Sequence, residues 1–171
     1  QIPVFAILGV ILLDIWAVHS GRLINFDGIL YLRSADAFLN NDYSTAYAIY
    51  SWPLYSILIA LGSHLTSASL ITSAYALNGG LQVILILAFV QLVKQLGGNR
   101  RCQWFALAIM LVHPYLNEYR SYIIRDFGYW AFLLVGMTLL ITAVTKQRAG
   151  YAVLGTLTLL ISTTFRIEGL I

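Results

Sequence analysis

The fold is decided by a long apolar stretch in the middle of the chain, residues 70–93, which read LITSAYALNGGLQVILILAFVQLV. This stretch has no charged side chain and exceeds the roughly 20 residues that a helix needs to cross a bilayer. It therefore predicts a membrane-spanning helix. Asn78-Gly79-Gly80 in its centre leaves two alternatives open, close packing of a second helix or a local break.

The whole chain has the composition of a membrane protein. Of its 171 residues, 60% are hydrophobic and only 10% are charged, whereas soluble domains carry about 45–50% apolar and about 25% charged residues. These proportions exclude a disordered chain, a coiled coil and a nucleic-acid-binding domain, so no nucleic acid is expected as a partner. They also argue against a soluble enzyme. A single cysteine, Cys102, excludes an intramolecular disulfide.

Four other apolar stretches extend this pattern to an all-α membrane protein of about five transmembrane helices. The stretch 52–65 is too short to span and is expected to lie at the membrane surface. We interpret 1–171 as one transmembrane module, the N-terminal part of a longer protein. The further predicted spans are 2–18, 104–115, 127–144 and 149–164.

The distribution of charge predicts the orientation. Two connections, 94–101 and 146–148, contain basic residues and no acidic ones, and the positive-inside rule places such connections in the cytoplasm. The loop 20–69 is then external. From Asp27 onward its apolar residues recur at helical spacing, which predicts juxtamembrane helices resting on the bilayer. Its aromatic residues suit the headgroup zone: Tyr43, Tyr47, Tyr50, Trp52 and Tyr55.

Ionisable side chains gather at the predicted outer ends of the spans, where they are expected to be functional. Arginines there can grip a phosphate, and Asp27 or Asp126 can accept a proton. Carboxylates can also hold a divalent metal. Simpler roles stay open, with both aspartates as helix caps and Arg166 in a local ion pair with Glu168. For Asp14, inside the first span, Arg22 is the expected partner. The residues at the outer ends are Asp27, Glu118, Arg120, Arg125, Asp126, Arg166 and Glu168.

Four short motifs, in order along the chain, resemble the N-terminal part of the GT-C membrane glycosyltransferases, which include protein O-mannosyltransferases and aminoarabinose transferases. They are DGILYLRSA at 27–35, WPLYSIL at 52–58, YRSYIIRD at 119–126 and TFRIEG at 164–169. The family carries an Asp-Glu pair at the first motif, and here Gly28 replaces the Glu. Either Asp27 suffices alone, or a second acid such as Asp126 takes that place.

The resemblance implies transfer of a sugar from a polyprenyl-phosphate-linked donor to a lipid, glycan or protein acceptor. Asp27 and Asp126 would be catalytic, with Asp27 as the base. Substrate and phosphate binding would fall to Arg125, Arg166, Arg120, Tyr31 and Glu168. The location implied is a bacterial plasma membrane with a periplasmic or extracellular active face and membrane lipids around the spans. A divalent metal is used by some branches and not by others, so the cofactor stays open.

Two other functions remain as alternatives. A transporter or flippase subunit predicts charges at mid-membrane, internal symmetry and a path open to each side in turn. A non-catalytic scaffold of a polysaccharide assembly system requires no particular distance between Asp27 and Asp126. The glycosyltransferase hypothesis requires Asp27, Asp126 and Arg166 to meet at one cavity.

Overall fold

The computed structural model describes residues 1–20 and 23–167. Within these ranges the chain forms nine α-helices and no strand. The helices are α1 (Ile2–His19), α2 (Phe26–Leu39), α3 (Tyr43–Ile49), α4 (Leu54–Thr66), α5 (Leu70–Gln95), α6 (Arg100–Val112), α7 (Pro114–Tyr119), α8 (Asp126–Lys146) and α9 (Ala149–Phe165).

Three of these helices, α1, α5 and α8, are long and apolar enough to cross a membrane. The predicted third and fifth spans are present as the shorter helices α6 and α9, with 13 and 17 residues. At 1.5 Å per residue they reach about 20 Å and about 25 Å, against a hydrocarbon core of about 30 Å. Helix α6 ends at Val112 because Pro114 has no N–H to continue it, and α7 begins at that proline.

The predicted loop helices are present as α2, α3 and α4. Each has an exposed face, and α2 and α4 also pack with their other face against the rest of the protein. Tyr31 and Ala35 of α2 and Tyr55 and Ile59 of α4 lie in one buried core with residues of α5 and α8. Tyr55 is therefore a correction to the sequence prediction, because its side chain is 1% exposed and does not lie in a headgroup layer. Its hydroxyl donates to Asn78 Oδ1 at 2.7 Å, which fixes α4 to α5.

Helix α5 continues without interruption through Asn78-Gly79-Gly80, so close packing is the correct alternative and a helix break is wrong. Gly79 faces α1, where a Cβ atom would lie 2.8 Å from Asp14 Oδ2. Asn78 is buried and donates to the Tyr122 carbonyl at 2.9 Å. Asn78 therefore holds α4 and the segment before α8, while Gly79 allows α1 to pack closely against α5.

Helices α8 and α9 cross where two glycines face each other. A Cβ atom on Gly136 would lie 3.1 Å from the Gly155 carbonyl oxygen, and one on Gly155 would lie 3.1 Å from the Gly136 oxygen. Small residues allow helix backbones this close approach, as is common between membrane helices. The crossing brings the end of α9 back to the beginning of α8, which assembles one side of the candidate site.

Candidate functional site

Three parts of the chain that are distant in sequence form one cavity of about 520 Å³. One wall is the beginning of α2, the second is the segment 119–126 with the first turn of α8, and the third is Arg166 after α9. Asp27, Asp126 and Arg166 all line this space. The remaining lining residues are Asn25, Phe26, Tyr119, Tyr122, Ile124 and Trp130.

Asp27 lies in the first turn of α2, where a negative charge interacts favourably with the helix dipole. The preceding residue Asn25 is the N-cap position, yet its side chain does not cap the helix. Instead the amide bonds across the cavity wall to Ile123, donating from Nδ2 to the carbonyl at 3.2 Å and accepting at Oδ1 from the N–H at 2.9 Å. The start of α2 is thereby fixed against the segment before α8.

Gly28 lies next to Asp27 at a position that has no room for a side chain. The residue is buried, and a Cβ atom would lie 2.7 Å from Asn25 Oδ1 and 3.0 Å from Ile123 Cβ. A glutamate has no room in this contact. Asp126 lines the same cavity as Asp27, and the two alternatives left open by the sequence stay predictions.

Asp126 begins α8, and its Oδ1 accepts a hydrogen bond in an ion pair with Arg166 Nη1. Both side chains keep partial contact with solvent, at 20% and 33% exposure. The pair depends on close packing between α8 and α9 at Gly128, where a Cβ atom would lie 2.3 Å from the Phe165 ring. Arg166 follows Phe165 directly, so the absent side chain of Gly128 allows the guanidinium to reach Asp126.

The two carboxylates of the cavity differ in their partners. Asp126 is neutralised by Arg166, whereas the Asp27 side chain has no ion pair or hydrogen bond with any residue in the described ranges. Asp27 is also exposed to solvent. A carboxylate that is not neutralised and that opens into a cavity has its lone pairs available for a proton or for a cation. Asp27 is therefore the better placed of the two to act as a base.

Arg120 corrects a sequence prediction, because its side chain does not line the cavity. It is 1% exposed; Nη1 donates to Asp14 Oδ1 at 2.7 Å and Nε donates to Asn117 Oδ1 at 2.8 Å. These donors bind protein groups and not a phosphate in the cavity. Asp14 thus has Arg120 as its partner, whereas the sequence suggested Arg22, which lies outside the described residues.

Arg125 and Tyr31 also lie behind the cavity wall. The Arg125 guanidinium lies over the Tyr50 ring, 5.4 Å from its centroid, in a cation–π contact. Tyr31 is 3% exposed and packs edge-on against the rings of Tyr50 and Tyr55. Burial raises the pKa of Tyr31, so its hydroxyl stays protonated at neutral pH. The prediction that Tyr31 contacts substrate is therefore replaced by a role in the core.

The remaining predictions concern Glu168 and a metal. Glu168 lies outside the described residues, so its predicted role stays a prediction. Within residues 1–20 and 23–167, no group of three or more His, Cys, Asp or Glu side chains comes together as a metal site. Asp27 and Asp126 could at most supply two protein ligands, with the remaining positions filled by water or phosphate oxygens as Mg²⁺ commonly requires.

An apolar groove of about 470 Å³ adjoins the cavity. The two share Tyr119 and Trp130, whose ring centroids are 6.3 Å apart. The groove exists because α6 stops at Val112 and α7 departs at Pro114, which leaves a space between α5 and α8. Its other lining residues are Leu85, Phe89, Met110, His113, Tyr115, Leu116, Leu133 and Leu134.

Sequence reasoning missed the neutral residues that hold the site. Asn25, Asn78 and Tyr75 all bond to the main chain of residues 121–123, from α2 and α5. Only Asn25 carried a usable signal, since an Asn before an apolar helical repeat marks a helix start. Comparisons with models of protein families, with curated proteins and with solved structures find no match to this chain.

Proposed function

We propose that this chain belongs to a membrane glycosyltransferase that moves a sugar from a polyprenyl-phosphate donor to an acceptor at one face of the membrane. The observation that carries the proposal is the meeting of Asp27, Asp126 and Arg166 at one cavity. The packing of α8 on α9 pairs Asp126 with Arg166, and Asp27 joins them from a third part of the chain without being a member of that ion pair.

The proposed chemistry assigns one role to each of these side chains. Asp27 accepts the proton of the acceptor hydroxyl or amine while that atom forms a bond to the anomeric carbon of the sugar. The bond between that carbon and the phosphate oxygen breaks, and the polyprenyl phosphate departs with the electron pair. Arg166 stabilises the charge that develops on the phosphate, and Asp126 holds the guanidinium at the cavity edge.

The charge of the cavity also bears on metal dependence. Two carboxylates face one guanidinium here, so the described part of the cavity does not by itself favour a phosphate anion. A divalent cation between Asp27 and the phosphate would offset this charge and stabilise the leaving group. Metal dependence is therefore tested together with the reaction, by adding a chelator and then restoring Mg²⁺ or Mn²⁺.

The apolar groove beside the cavity suits the hydrocarbon chain of such a donor. A polar cavity and an apolar groove that share Tyr119 and Trp130 match a molecule with a charged head and a long apolar tail. In the proposed topology α6 and α9 complete five spans together with α1, α5 and α8. The basic connections then face the cytoplasm, and the cavity faces the periplasm or the exterior of a bacterial plasma membrane.

The test uses the full-length protein in membranes with radiolabelled polyprenyl-phosphate sugars. Asp27→Asn removes the base with little change of shape, and its matched control is Asp36→Asn, an exposed aspartate on the same helix that does not line the cavity. We expect Asp27→Asn to lower transfer by at least about 100-fold, as loss of a general base does, and Asp36→Asn to leave it unchanged.

Two results would overturn parts of the proposal. Transfer that survives Asp27→Asn would move the base elsewhere, with Asp126 as the next residue to test. An absence of transfer over a broad panel of donors and acceptors would contradict the glycosyltransferase assignment. Transport of a labelled lipid across the bilayer would then favour the transporter alternative.

A further inference from the structure

An ion pair between the buried Arg120 and the partly exposed Asp14 connects the first helix to the segment that forms one wall of the cavity. Asp14 lies on α1 and Arg120 follows α7, and the two residues are 106 positions apart in the chain. The Arg120 side chain is almost completely buried and has a second bond, from Nε to Asn117 Oδ1. Asn117 in turn donates to the Leu111 carbonyl at 2.9 Å, near the end of α6. The network thus joins α1, α6 and α7.

The segment that begins at Arg120 supplies most of one cavity wall. Tyr119, Tyr122, Ile124 and Asp126 line the cavity. Apart from a single hydrogen-bonded turn between Tyr119 and Tyr122, residues 120–125 are not helical, so they rely on tertiary contacts to stay in place. Their position decides where Asp126 and Tyr122 lie relative to Asp27.

Successive residues of this segment are fixed by two residues of α5 and by the residue that precedes α2. The Ser121 carbonyl accepts from Tyr75 Oη at 3.2 Å and the Tyr122 carbonyl accepts from Asn78, while Ile123 is held by Asn25. These are neutral hydrogen bonds to the main chain. Arg120 is fixed through its side chain by an ion pair, as Asp126 is at the other end of the segment, and a charge-assisted hydrogen bond is about twice as strong as a neutral one.

We propose that Asp14 is a positioning residue for the cavity, which acts through Arg120 to set the place of the 119–126 wall against Asp27. The kinetic part of this inference rests on the proposed glycosyltransferase function, whereas the geometric part does not. A purely structural pair would only neutralise the buried charge of Arg120, and a double substitution that removes both charges would then be harmless. A positioning pair also requires an arginine side chain long enough to bond to Asp14 on α1.

The experiment measures the distance between the α2 wall and the 119–126 wall of the cavity in the full-length protein. Spin labels are placed at Ile29→Cys on α2 and Glu118→Cys on α7, both exposed positions, in a Cys102→Ser background. We expect Asp14→Asn to shift or broaden the distance distribution. The control is Thr142→Val, which removes a buried bond from Gln95 Nε2 at 2.6 Å, about 24 Å along α8 from Asp126. It should leave the distance unchanged.

A second variant separates positioning from charge neutralisation and covers the case in which Asp14→Asn does not fold. The double variant Asp14→Asn with Arg120→Gln leaves no uncompensated charge, so it should fold. Because Gln is shorter than Arg, it does not restore the connection to α1, and the distance should remain shifted. A double variant with the wild-type distance, or a folded Asp14→Asn with the wild-type distance, would overturn the inference.

Kinetics supply the second measurement. Small misplacements of a catalytic wall lower the rate of the chemical step, so we expect kcat of Asp14→Asn to fall about tenfold or more while the donor KM changes by less than about threefold. Arg120→Lys keeps the charge and should retain more activity than Arg120→Gln. If the wild type transfers no sugar, the proposed function fails, and the distance measurement still decides the role of Asp14.

Discussion

Asn25 and Ile123 form a reciprocal pair of hydrogen bonds across 98 positions of the sequence. The Asn25 amide donates to the Ile123 carbonyl and accepts from the Ile123 N–H, as the main chain of a neighbouring β-strand would. This contact joins the helix that carries Asp27 to the segment that leads into Asp126. This asparagine side chain is therefore one of the contacts that set the distance between the two carboxylates.

Replacing that side chain should loosen the cavity. Asn25→Ala leaves the N–H and carbonyl of the buried Ile123 without these partners, and each unsatisfied buried group costs about 1–3 kcal/mol. We expect a lower free energy of unfolding, which a thermal melt in detergent measures. Asn25→Asp keeps the acceptor for the N–H, but its second oxygen faces the Ile123 carbonyl and its charge joins those of Asp27 and Asp126 at the cavity, so it should also be less stable than the wild type. Equal stability of all three proteins would contradict this account.

Gly28→Ala should destabilise the protein through a direct overlap. The added methyl would lie 2.7 Å from Asn25 Oδ1 and would push apart the contact just described. The matched control is Gly80→Ala in α5, where a Cβ meets nothing within 4 Å. Since alanine is favoured over glycine inside a helix by about 1 kcal/mol, Gly80→Ala should be neutral or stabilising. A lower melting temperature for Gly28→Ala, with an unchanged or higher one for Gly80→Ala, would support the close contact at Gly28. Equal shifts of the two melting temperatures would refute it.

Tyr55→Phe tests the bond between α4 and α5. The change removes only the hydroxyl that donates to Asn78 Oδ1 and leaves that oxygen buried, at a cost of about 1–3 kcal/mol. Tyr75→Phe removes a longer and less buried bond to the Ser121 carbonyl, so its effect should be smaller. The order of the two denaturation midpoints is the measurement, and the reverse order would show that the Asn78 contact is not the stronger one.

Gly136→Val should separate α8 from α9. The Cβ atom alone would lie 2.7 Å from the Leu159 side chain and 3.1 Å from the Gly155 carbonyl oxygen. The backbones of the two helices are close here, so the larger valine side chain cannot be accommodated. We expect a large loss of stability together with loss of the Asp126–Arg166 pair at the end of the same helix pair. Gly150→Val meets nothing within 4 Å and serves as the control. Cysteine cross-linking between α8 and α9 reports the separation, and unchanged cross-linking in Gly136→Val would contradict it.

The buried Tyr31 hydroxyl should make the stability of the protein depend on pH in alkaline solution. Burial raises the pKa of this phenol above its usual value of about 10. The group therefore contributes stability that is complete below about pH 10 and is lost at higher pH, where the unfolded chain gains by ionisation. The wild type should lose stability above about pH 10 more steeply than Tyr31→Phe. Parallel pH profiles for the two proteins would show that this hydroxyl is not buried as described.

Periodic segments were predictable from the sequence. Apolar residues at helical spacing after Asp27 marked α2, and the short stretch 52–65 corresponds closely to α4. Asp42 caps α3 by accepting from the Thr45 N–H at 3.1 Å. In such segments the local pattern and the final packing agree, because each helix buries the face that its sequence makes apolar.

The directions of side chains in the segment before α8 were not predictable. Arg120 and Arg125 flank the same non-helical stretch, and no periodicity distinguishes the one that turns inward to Asp14 from the one that lies over Tyr50. Asp126 and Arg166, in contrast, were predicted to converge because each lies at a helix end, and they form an ion pair at one cavity. The partner of Asp14 lies too far along the sequence for any local pattern to identify it.

The distance in sequence between Asp14 and Arg120 also sets an order of events during synthesis. A ribosome adds about 5–20 residues per second, so the 106 residues between the two require about 5–20 s. Throughout that interval α1 carries an acidic group with no Arg120 to meet it, and lipid is a costly environment for such a group. We therefore expect α1 to leave the insertion machinery late, together with the helices that bring its counter-ion, so that a helix made early is released into the bilayer only with helices made after it.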